Sequence, residues 1–532
     1  MPEHARRFWH SSDPTKGYSS WFRLLISAIA GAGLALSFTW LYFPLYSWVS
    51  VAVLMMMVLG ARPQVAYFCG HVHALAFVLT SVPWIAEVLA VHGGMPLLAG
   101  WGVLLLIASV WGMLTGGFAW GVNRIARTNM ALACIAAPFM WVTFEFVRAH
   151  LPEISFPWNL LGYSAAQNLP LAQVSTVTGV YGLSFVMAAF NALLAWADSA
   201  KATSFAKRFG PIAVAILVLL TVAYAGKILM PAAQANHFAR AVQPNFPEVE
   251  SYPSDWFQKY AADMDELEEL SLAPGTHPTD LIVWPEAPAP FSWQDNQFSK
   301  RASGLAIRAG HPFLAGVVEW KSETLSSGHT GQAPYNSAVL VDSQGQKVFT
   351  YDKRHLVPFG EYEPFPLIHR VVQSVSSEVG GFHKGKVATI GHLPGGYRFG
   401  VYICYEAIYP SEVREFAAHG ANLLINISND GWFGKSAAAE QHLRMARVRA
   451  VENRRWVLRV TNNGLTAAID PYGRMYQTIP RDVRGAVDLP YDFRTDTTIY
   501  TRFGDCFAWL CVAVSVILLV NTFRKTTFRK TT

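Results

Sequence analysis

Between residues 24 and 230 only 12 side chains are Asp, Glu, Lys or Arg, about 6% of that stretch, whereas soluble domains carry about 25%. So little charge cannot cover a surface in water, and the stretch must bury itself in a bilayer. Residues 231–504 hold 55 charged side chains, about 20%, close to the soluble norm. The chain therefore divides into a membrane-embedded part and one large water-facing domain. Its 18 Trp, 33 Phe and 20 Tyr exclude a disordered chain, because they supply ample surface that seeks burial.

Apolar runs fall at 24–43, 45–61, 64–90, 97–120, 130–149, 171–197, 209–230 and 505–522. Most are long enough to cross a hydrocarbon core at about 1.5 Å per residue, so about eight transmembrane helices are expected. The formal net charge of +6 is explained by where the cations lie. Arg6, Arg7, Lys16 and Arg23 precede the first run, and Arg62 follows the second. Arg124 and Arg127 follow the fourth, Lys201, Lys207 and Arg208 the sixth, and Arg524, Lys525, Arg529 and Lys530 the eighth. The alternate short loops, near 44, 91–96 and 150–170, hold no cation, with Arg148 at the edge of the last. Positive-inside bias then puts both termini in the cytoplasm and the large domain on the opposite side. The expected organisation is a cytoplasmic segment 1–23, seven transmembrane helices in 24–230, an extracytoplasmic domain 231–504, an eighth helix 505–522 and a cytoplasmic tail 523–532. The first run could also be a cleaved leader, but its removal would break the charge alternation. The duplicated Thr-Phe-Arg-Lys-Thr of the tail reads as a solvated stop-transfer segment near lipid headgroups.

The domain reads as α/β. Short Val-, Ile- and Leu-rich runs at 239–242, 281–284, 313–318, 337–342, 398–404, 422–427, 456–461 and 466–469 alternate with helical patterns at 254–272, 294–309, 410–419 and 437–453. Three strands deliver a reactive residue. Leu281-Ile-Val-Trp-Pro-Glu286 ends in a carboxylate. Tyr351-Asp-Lys353-Arg-His-Leu-Val-Pro-Phe-Gly-Glu361 brings a lysine and a second carboxylate. Phe399-Gly-Val-Tyr-Ile-Cys404-Tyr-Glu406 ends in a thiol. Cys69, Cys134, Cys506 and Cys511 lie in apolar runs, so Cys404 is the domain's sole cysteine and no disulfide can form within it. Singly, each residue has an ordinary explanation: a cap, a surface ion-pair partner, a small core hydrophobe. Together they make a coherent set, in which the carboxylate takes the proton of the thiol and the lysine stabilises a thiolate and then an oxyanion. The Tyr405 N–H is a candidate second oxyanion donor. A Cys–His pair using His355 or His442 is an alternative. No His-x-x-x-His or Cys-x-x-Cys spacing suggests a metal, no cofactor is implied, and no nucleic-acid motif accompanies the basic residues.

The order Trp-Pro-Glu286, Tyr-Asp-Lys353 to Pro-Phe-Gly-Glu361 and Cys404-Tyr-Glu406 resembles the Glu-Lys-Cys carbon–nitrogen hydrolase (nitrilase) superfamily. The likeness continues through Asn426-Ile-Ser-Asn-Asp-Gly-Trp432-Phe-Gly, the Arg447 to Arg455 segment and Thr461-Asn-Asn-Gly464. More narrowly, the whole chain resembles the bacterial apolipoprotein N-acyltransferase family, including Glu145-x-x-Arg148, Phe156-Pro-Trp-Asn-Leu-Leu-Gly-Tyr163 and Gly179-Val-Tyr-Gly-Leu-Ser-Phe185. Asp352 before the lysine and the tail depart from the pattern.

The resemblance implies an αββα sandwich of nitrilase type, held in the periplasm by a polytopic α-helical inner-membrane protein. It implies a two-step transfer in which Glu286 is the base, Cys404 the nucleophile and Lys353 the stabilising cation. A phospholipid would be the acyl donor and a diacylated apolipoprotein the acceptor. Glu361, Tyr405 and Glu406 would support the site, and Trp256 would contact substrate. Segment 356–382, with Phe359, Phe365, Leu367 and Ile368, has the composition of a lid that dips into lipid. Glu145 and Arg148 are expected to form a structural ion pair. The alternatives are a membrane-tethered amidase that releases its acyl group to water, and a transporter or sensor with a binding domain. The latter should show inverted repeats and mid-membrane charges, which the sequence lacks.

Overall fold

The computed structural model describes residues 18–39, 42–199, 204–247, 256–287, 291–324, 330–362 and 381–531. The chain forms two compact units. One comprises Met1–Ala86, Leu97–Met230 and Phe503–Thr532, the other Glu87–Pro96 and Pro231–Arg502.

Each expected apolar run of the first unit contains helix, of varied length. Among the described residues five helices are long and apolar enough to cross a membrane: Leu97–Ala126, Met130–Ala149, Val180–Ser199, Phe205–Ile228 and Cys506–Arg524. Pro63–Ser81 and Trp84–Val91 would make a sixth, bent by 56° at the break before Trp84. Pro83 sits in that break and has no N–H to continue the ladder. Ser20–Ala35 and Ser50–Val58, of 16 and nine residues, are shorter. The sixth run begins later than expected: after two short turns Gly179 takes a φ of 64°, and the helix starts at Val180.

A nine-residue helix in hydrocarbon leaves its terminal backbone groups without water, so side chains must meet them. Asn191 accepts from the Ala52 N–H at 2.8 Å and donates to the Ser47 carbonyl at 3.0 Å. At the other end Asn123 donates to the Val58 and Ala61 carbonyls at 2.7 and 3.0 Å. Close backbone approach supplies the rest: a Cβ on Gly31 would fall 2.0 Å from the His73 carbonyl oxygen, so only glycine lets helices 20–35 and 63–81 meet there.

The second unit is built from two six-stranded sheets. The strands of the first are β1 (His237–Gln243), β2 (Leu281–Val283), β3 (Phe313–Thr324), β4 (Thr330–Val341), β5 (Lys347–Asp352) and β12 (Gly485–Tyr491). Those of the second are β6 (Ile390–His392), β7 (Arg398–Ile403), β8 (Leu423–Ser428), β9 (Val457–Thr461), β10 (Thr466–Ile469) and β11 (Met475–Ile479). The orders are β12-β1-β2-β3-β4-β5 and β11-β10-β9-β8-β7-β6. In each sheet three central strands run parallel, β1-β2-β3 and β7-β8-β9. Parallel neighbours need crossover helices, and Ala261–Leu272, Asn296–Ala309, Pro410–Ala418 and Ala438–Asn453 supply them.

Strand periodicity decides which face goes where. Leu281 and Val283 join a core with Val401, Ile403, Ile425, Ile427 and Leu458 of the opposite sheet. Ile282 and Trp284 point the other way, onto Met264, Leu267, Phe298 and Leu305 of the covering helices. The result is the expected αββα sandwich.

Candidate active site

The carboxyl ends of strands, where side chains from different loops converge, hold the predicted residues, two of them on parallel strands and Lys353 on the antiparallel edge strand β5. Glu286 follows β2, Lys353 follows β5 and Cys404 follows β7. Glu286 is buried. Its Oε1 accepts from Lys353 Nζ at 3.0 Å and Asn336 Nδ2 at 2.8 Å, and its Oε2 from the Asn429 N–H at 2.8 Å. Lys353 is 1% exposed and also donates to Glu361 Oε1 at 2.9 Å. Burial alone would depress its ammonium, but Glu286 and then Glu361 outweigh burial and hold it well above its ordinary range. Glu361 is fixed by Asn336 Nδ2 at 2.7 Å and by the Val357 N–H at 2.7 Å.

Cys404 opens a 3₁₀ turn, Cys404–Ile408, with a φ of 48°, a left-handed conformation that costs a non-glycine residue about 1 kcal/mol. Such a sharp strand-to-turn corner projects the side chain off the end of the sheet. Burial, then the Glu286 carboxylate, push the thiol well above its usual range, with Lys353 pulling the other way. The resting thiol is therefore held in its protonated form. Lys353 itself is held between two carboxylates.

Glu406 brackets the site. Its Oε1 accepts from the Arg354 N–H at 2.6 Å, the His355 N–H at 3.2 Å and Tyr351 Oη–H at 2.7 Å; its Oε2 accepts from the Ile403 N–H at 2.6 Å. The lysine loop and the cysteine turn are thus tied to one carboxylate. Burial, then the nearby Glu412, push Glu406 up to about 7. An acid raised on folding contributes stability below its unfolded value, and loses that contribution as pH climbs through the folded one. Between pH 5 and 8 this group is expected to remove about 3 kcal/mol of stability. Thermal unfolding of wild type and Glu406→Gln at both pH values checks this: the gap between them should shrink in the variant.

Tyr405 is buried beside His355 and Tyr409, at ring distances of 6.0 and 5.5 Å. Trp256 starts a short helical turn, Trp256–Lys259; its side chain lies outside the described positions, as do Phe365, Leu367 and Ile368 of the expected lid. Among the described residues neither His355 nor His442 forms a side-chain pair with Cys404. His355 Nδ1 lies 2.8 Å from Glu412 Oε1, and its ring stacks on Tyr409 at 3.6 Å. His442 meets the backbone carbonyl of Cys404. Glu145 and Arg148 do not pair either. Glu145 Oε1 accepts from Trp141 Nε1 at 3.0 Å and the Leu161 N–H at 2.7 Å, and Arg148 donates to the Trp158 carbonyl at 2.9 Å.

Sequence reasoning missed Asn336, which bridges both carboxylates from β4, and the buried Asp430 and Arg459. A polar Asn in an alternating strand gives no signal, but Arg459 within the apolar run Val457-Leu-Arg-Val-Thr461 could have been marked as a cation in need of a buried partner.

The carbon–nitrogen hydrolase family profile matches residues 232–490, and that of the apolipoprotein N-acyltransferase N-terminal domain matches residues 30–193. The apolipoprotein N-acyltransferase of Geobacter metallireducens is 33% identical over 94% of this chain and 95% of its own length. That of Bradyrhizobium diazoefficiens is 31% identical over 76% of each chain, and that of Shewanella oneidensis 26% identical over 96% and 97%. A solved amidase from Nesterenkonia sp. is 18% identical over 49% of this chain and 93% of its own, with a TM-score of 0.35, too low to carry an argument. On the strength of the full-length relatives, this membrane-embedded chain belongs to the apolipoprotein N-acyltransferase family.

Proposed function

We propose that this protein transfers an acyl chain from a membrane phospholipid, through a Cys404 thioester, to the α-amine of a diacylglyceryl-cysteine at the N-terminus of an apolipoprotein. The observation that carries this reading is the buried network joining Glu286, Lys353 and Glu361 within electrostatic reach of Cys404, in a chain that matches N-acyltransferases along nearly its whole length.

In the first half-reaction the Cys404 sulfur attacks the ester carbonyl while its proton passes to Glu286. The oxyanion forms near the Lys353 ammonium, held by two carboxylates so that it needs no reorientation as charge develops. Collapse breaks the ester C–O bond, and the departing lysophospholipid oxygen takes the proton from Glu286. In the second, the lipoprotein amine attacks the thioester, gives a proton to Glu286 and expels the sulfur, which is reprotonated. Glu361 and Asn336 hold Lys353 and Glu286 in place, and Glu406 and Tyr405 shape the cysteine turn. Trp256 is proposed as a substrate contact. All eight apolar segments are proposed to cross or enter the inner membrane, with both termini cytoplasmic and residues 231–504 periplasmic. The cation pattern supports this.

Gly316 shows how tightly the base is held. A Cβ there would fall 2.6 Å from the Glu286 Cα and 2.5 Å from the Pro285 carbonyl oxygen, both backbone atoms that cannot swing away. Gly316→Ala is expected to displace Glu286, destabilise the domain by about 1–3 kcal/mol and slow transfer by about 100-fold. Steady-state kinetics and thermal unfolding read the two effects.

The function is tested by incubating purified protein with phospholipid and a diacylated lipopeptide. A third acyl chain on the peptide amine, with lysophospholipid released in equal amount, is the expected result. Free fatty acid and an unmodified peptide would instead favour a tethered hydrolase.

A further inference from the structure

Behind the nucleophile lies a fully buried polar cluster that the proposed chemistry does not use. His442, on helix Ala438–Asn453, is 0% exposed, and its Nε2 lies 2.9 Å from the carbonyl oxygen of Cys404. A carbonyl only accepts, so Nε2 carries the hydrogen. The other ring nitrogen, Nδ1, lies 3.2 Å from Arg459 Nη2 and 3.1 Å from Asp430 Oδ1. The guanidinium only donates and the carboxylate only accepts, so Nδ1 accepts from Arg459 in the neutral ring and donates to Asp430 in the protonated one; in both forms Nε2–H faces the Cys404 carbonyl. A protonated ring would place a second cation against Arg459. Burial and then Arg459 disfavour the imidazolium, with Asp430 and the Cys404 carbonyl pulling the other way.

The cluster is anchored on all sides. Arg459 Nη2 donates to Asp430 Oδ2 at 2.6 Å, and Nη1 donates to Asn426 Oδ1. Ser428 Oγ donates to Asp430 Oδ1 at 2.8 Å. Asp430 and Arg459 thus flank the ring nitrogen opposite the one that meets the Cys404 carbonyl. The charged groups facing the imidazole are Asp430 and Arg459, one of each sign. Both are fixed by further bonds, so the cluster can act as a rigid mount.

We propose that His442 is a positioning residue for Cys404: its Nε2–H clasps the Cys404 carbonyl, fixes the plane of the Cys404–Tyr405 peptide and so holds the left-handed turn that aims the thiol at the scissile carbonyl. This rests on Cys404 being the nucleophile, as proposed above. The residue acts through the backbone, touches no substrate and takes no proton. A Cys–His catalytic pair needs the ring to face the thiol; here it faces the carbonyl on the opposite side of the residue.

The test uses the full-length protein and a small activated ester, p-nitrophenyl butyrate. Attack by Cys404 forms a butyryl thioester, breaks the aryl ester C–O bond and releases p-nitrophenolate as a burst. His442→Ala should slow the burst rate by about 30- to 100-fold, with burst amplitude and the KM for the ester little changed. His442→Gln, whose amide can present an N–H to the same carbonyl, should return the rate to within a few-fold of wild type. If His442→Ala fails to fold, the Gln variant decides alone: a folded protein with a slow burst overturns the proposal. Equal rates in Ala, Gln and wild type overturn it too, as does a Gln variant as slow as Ala at the same melting temperature. A wild-type burst with this ester but no thioester from phospholipid would count against the phospholipid reading and leave the positioning result standing. No burst in wild type would remove Cys404 as nucleophile and the proposal with it.

Discussion

Glu286→Gln lowers the rate of acyl transfer by about a thousandfold, and the same substitution makes Cys404 easier to alkylate near neutral pH. The two effects run in opposite directions for one reason. Gln keeps the size of the side chain and an oxygen for Lys353, which bonds Glu286 at 3.0 Å, but it cannot accept the thiol proton during attack. It also removes the anion that, after burial, does most to push the Cys404 thiol up, while Lys353 still pulls it down. The thiolate fraction at pH 8 therefore increases and iodoacetamide labels the variant faster than wild type, although turnover collapses. A Glu286 that served only as structural support would lower labelling and turnover together. Alkylation rates followed by mass spectrometry across pH 7–10, beside steady-state transfer rates, separate the two cases.

Lys353→Met has the larger effect on stability. The ammonium is fully enclosed between Glu286 and Glu361, at 3.0 and 2.9 Å, and removing it leaves two carboxylates facing each other with Asn336 Nδ2 bonded to both. Deleting one partner from a buried ionic network costs about 3–5 kcal/mol. Two like charges at close range also favour protonation of one of them. The variant should thus recover stability as pH is lowered from 8 to 5, more than wild type does over the same interval. Thioester formation should fall below detection at every pH, because no cation meets the oxyanion. Lys353→Arg is expected to restore neither property: the planar guanidinium is bulkier than the ammonium, and the side chain it would replace is 1% exposed. Unfolding temperatures across pH, measured with single-turnover acylation, check both parts.

The core of the hydrolase domain was legible because its strands are short apolar runs whose ends carry the chemistry. Trp-Pro-Glu286 and Tyr-Ile-Cys404 mark the points where a ladder stops and a side chain turns outward. The edge strand β12 was not legible: Gly485-Ala-Val-Asp-Leu-Pro-Tyr491 carries Asp488, which pairs with Arg240 at 2.8 Å, and Pro490, which reads as a break. Pro490 is tolerated because β12 lies at a sheet edge, opposite Phe238. In the membrane unit hydropathy marks the apolar segments but not where each helix breaks or stops. Hydropathy does not register that Asn123 and Asn191 meet the ends of the nine-residue helix Ser50–Val58 and let it stop short. Glu145 and Arg148 misled for a related reason. Their i, i+3 spacing permits a pair, yet the Leu161 N–H and the Trp158 carbonyl, supplied by the segment that folds back after the helix, are their actual partners. Partners contributed by tertiary packing leave no local trace. The same holds for the Asp430–His442–Arg459 cluster, assembled from a 3₁₀ turn, a helix and a strand.

The central claim is that Cys404 carries the acyl chain between a lipid donor and an amine acceptor. It is met most directly by mass spectrometry of the purified protein after incubation with phospholipid alone. The predicted result is one long-chain acyl mass on the peptide containing Cys404, removed by hydroxylamine, absent in Cys404→Ser and discharged onto a diacylated lipopeptide when that is added. An unmodified Cys404 in wild type, together with undiminished transfer by Cys404→Ser, would contradict it.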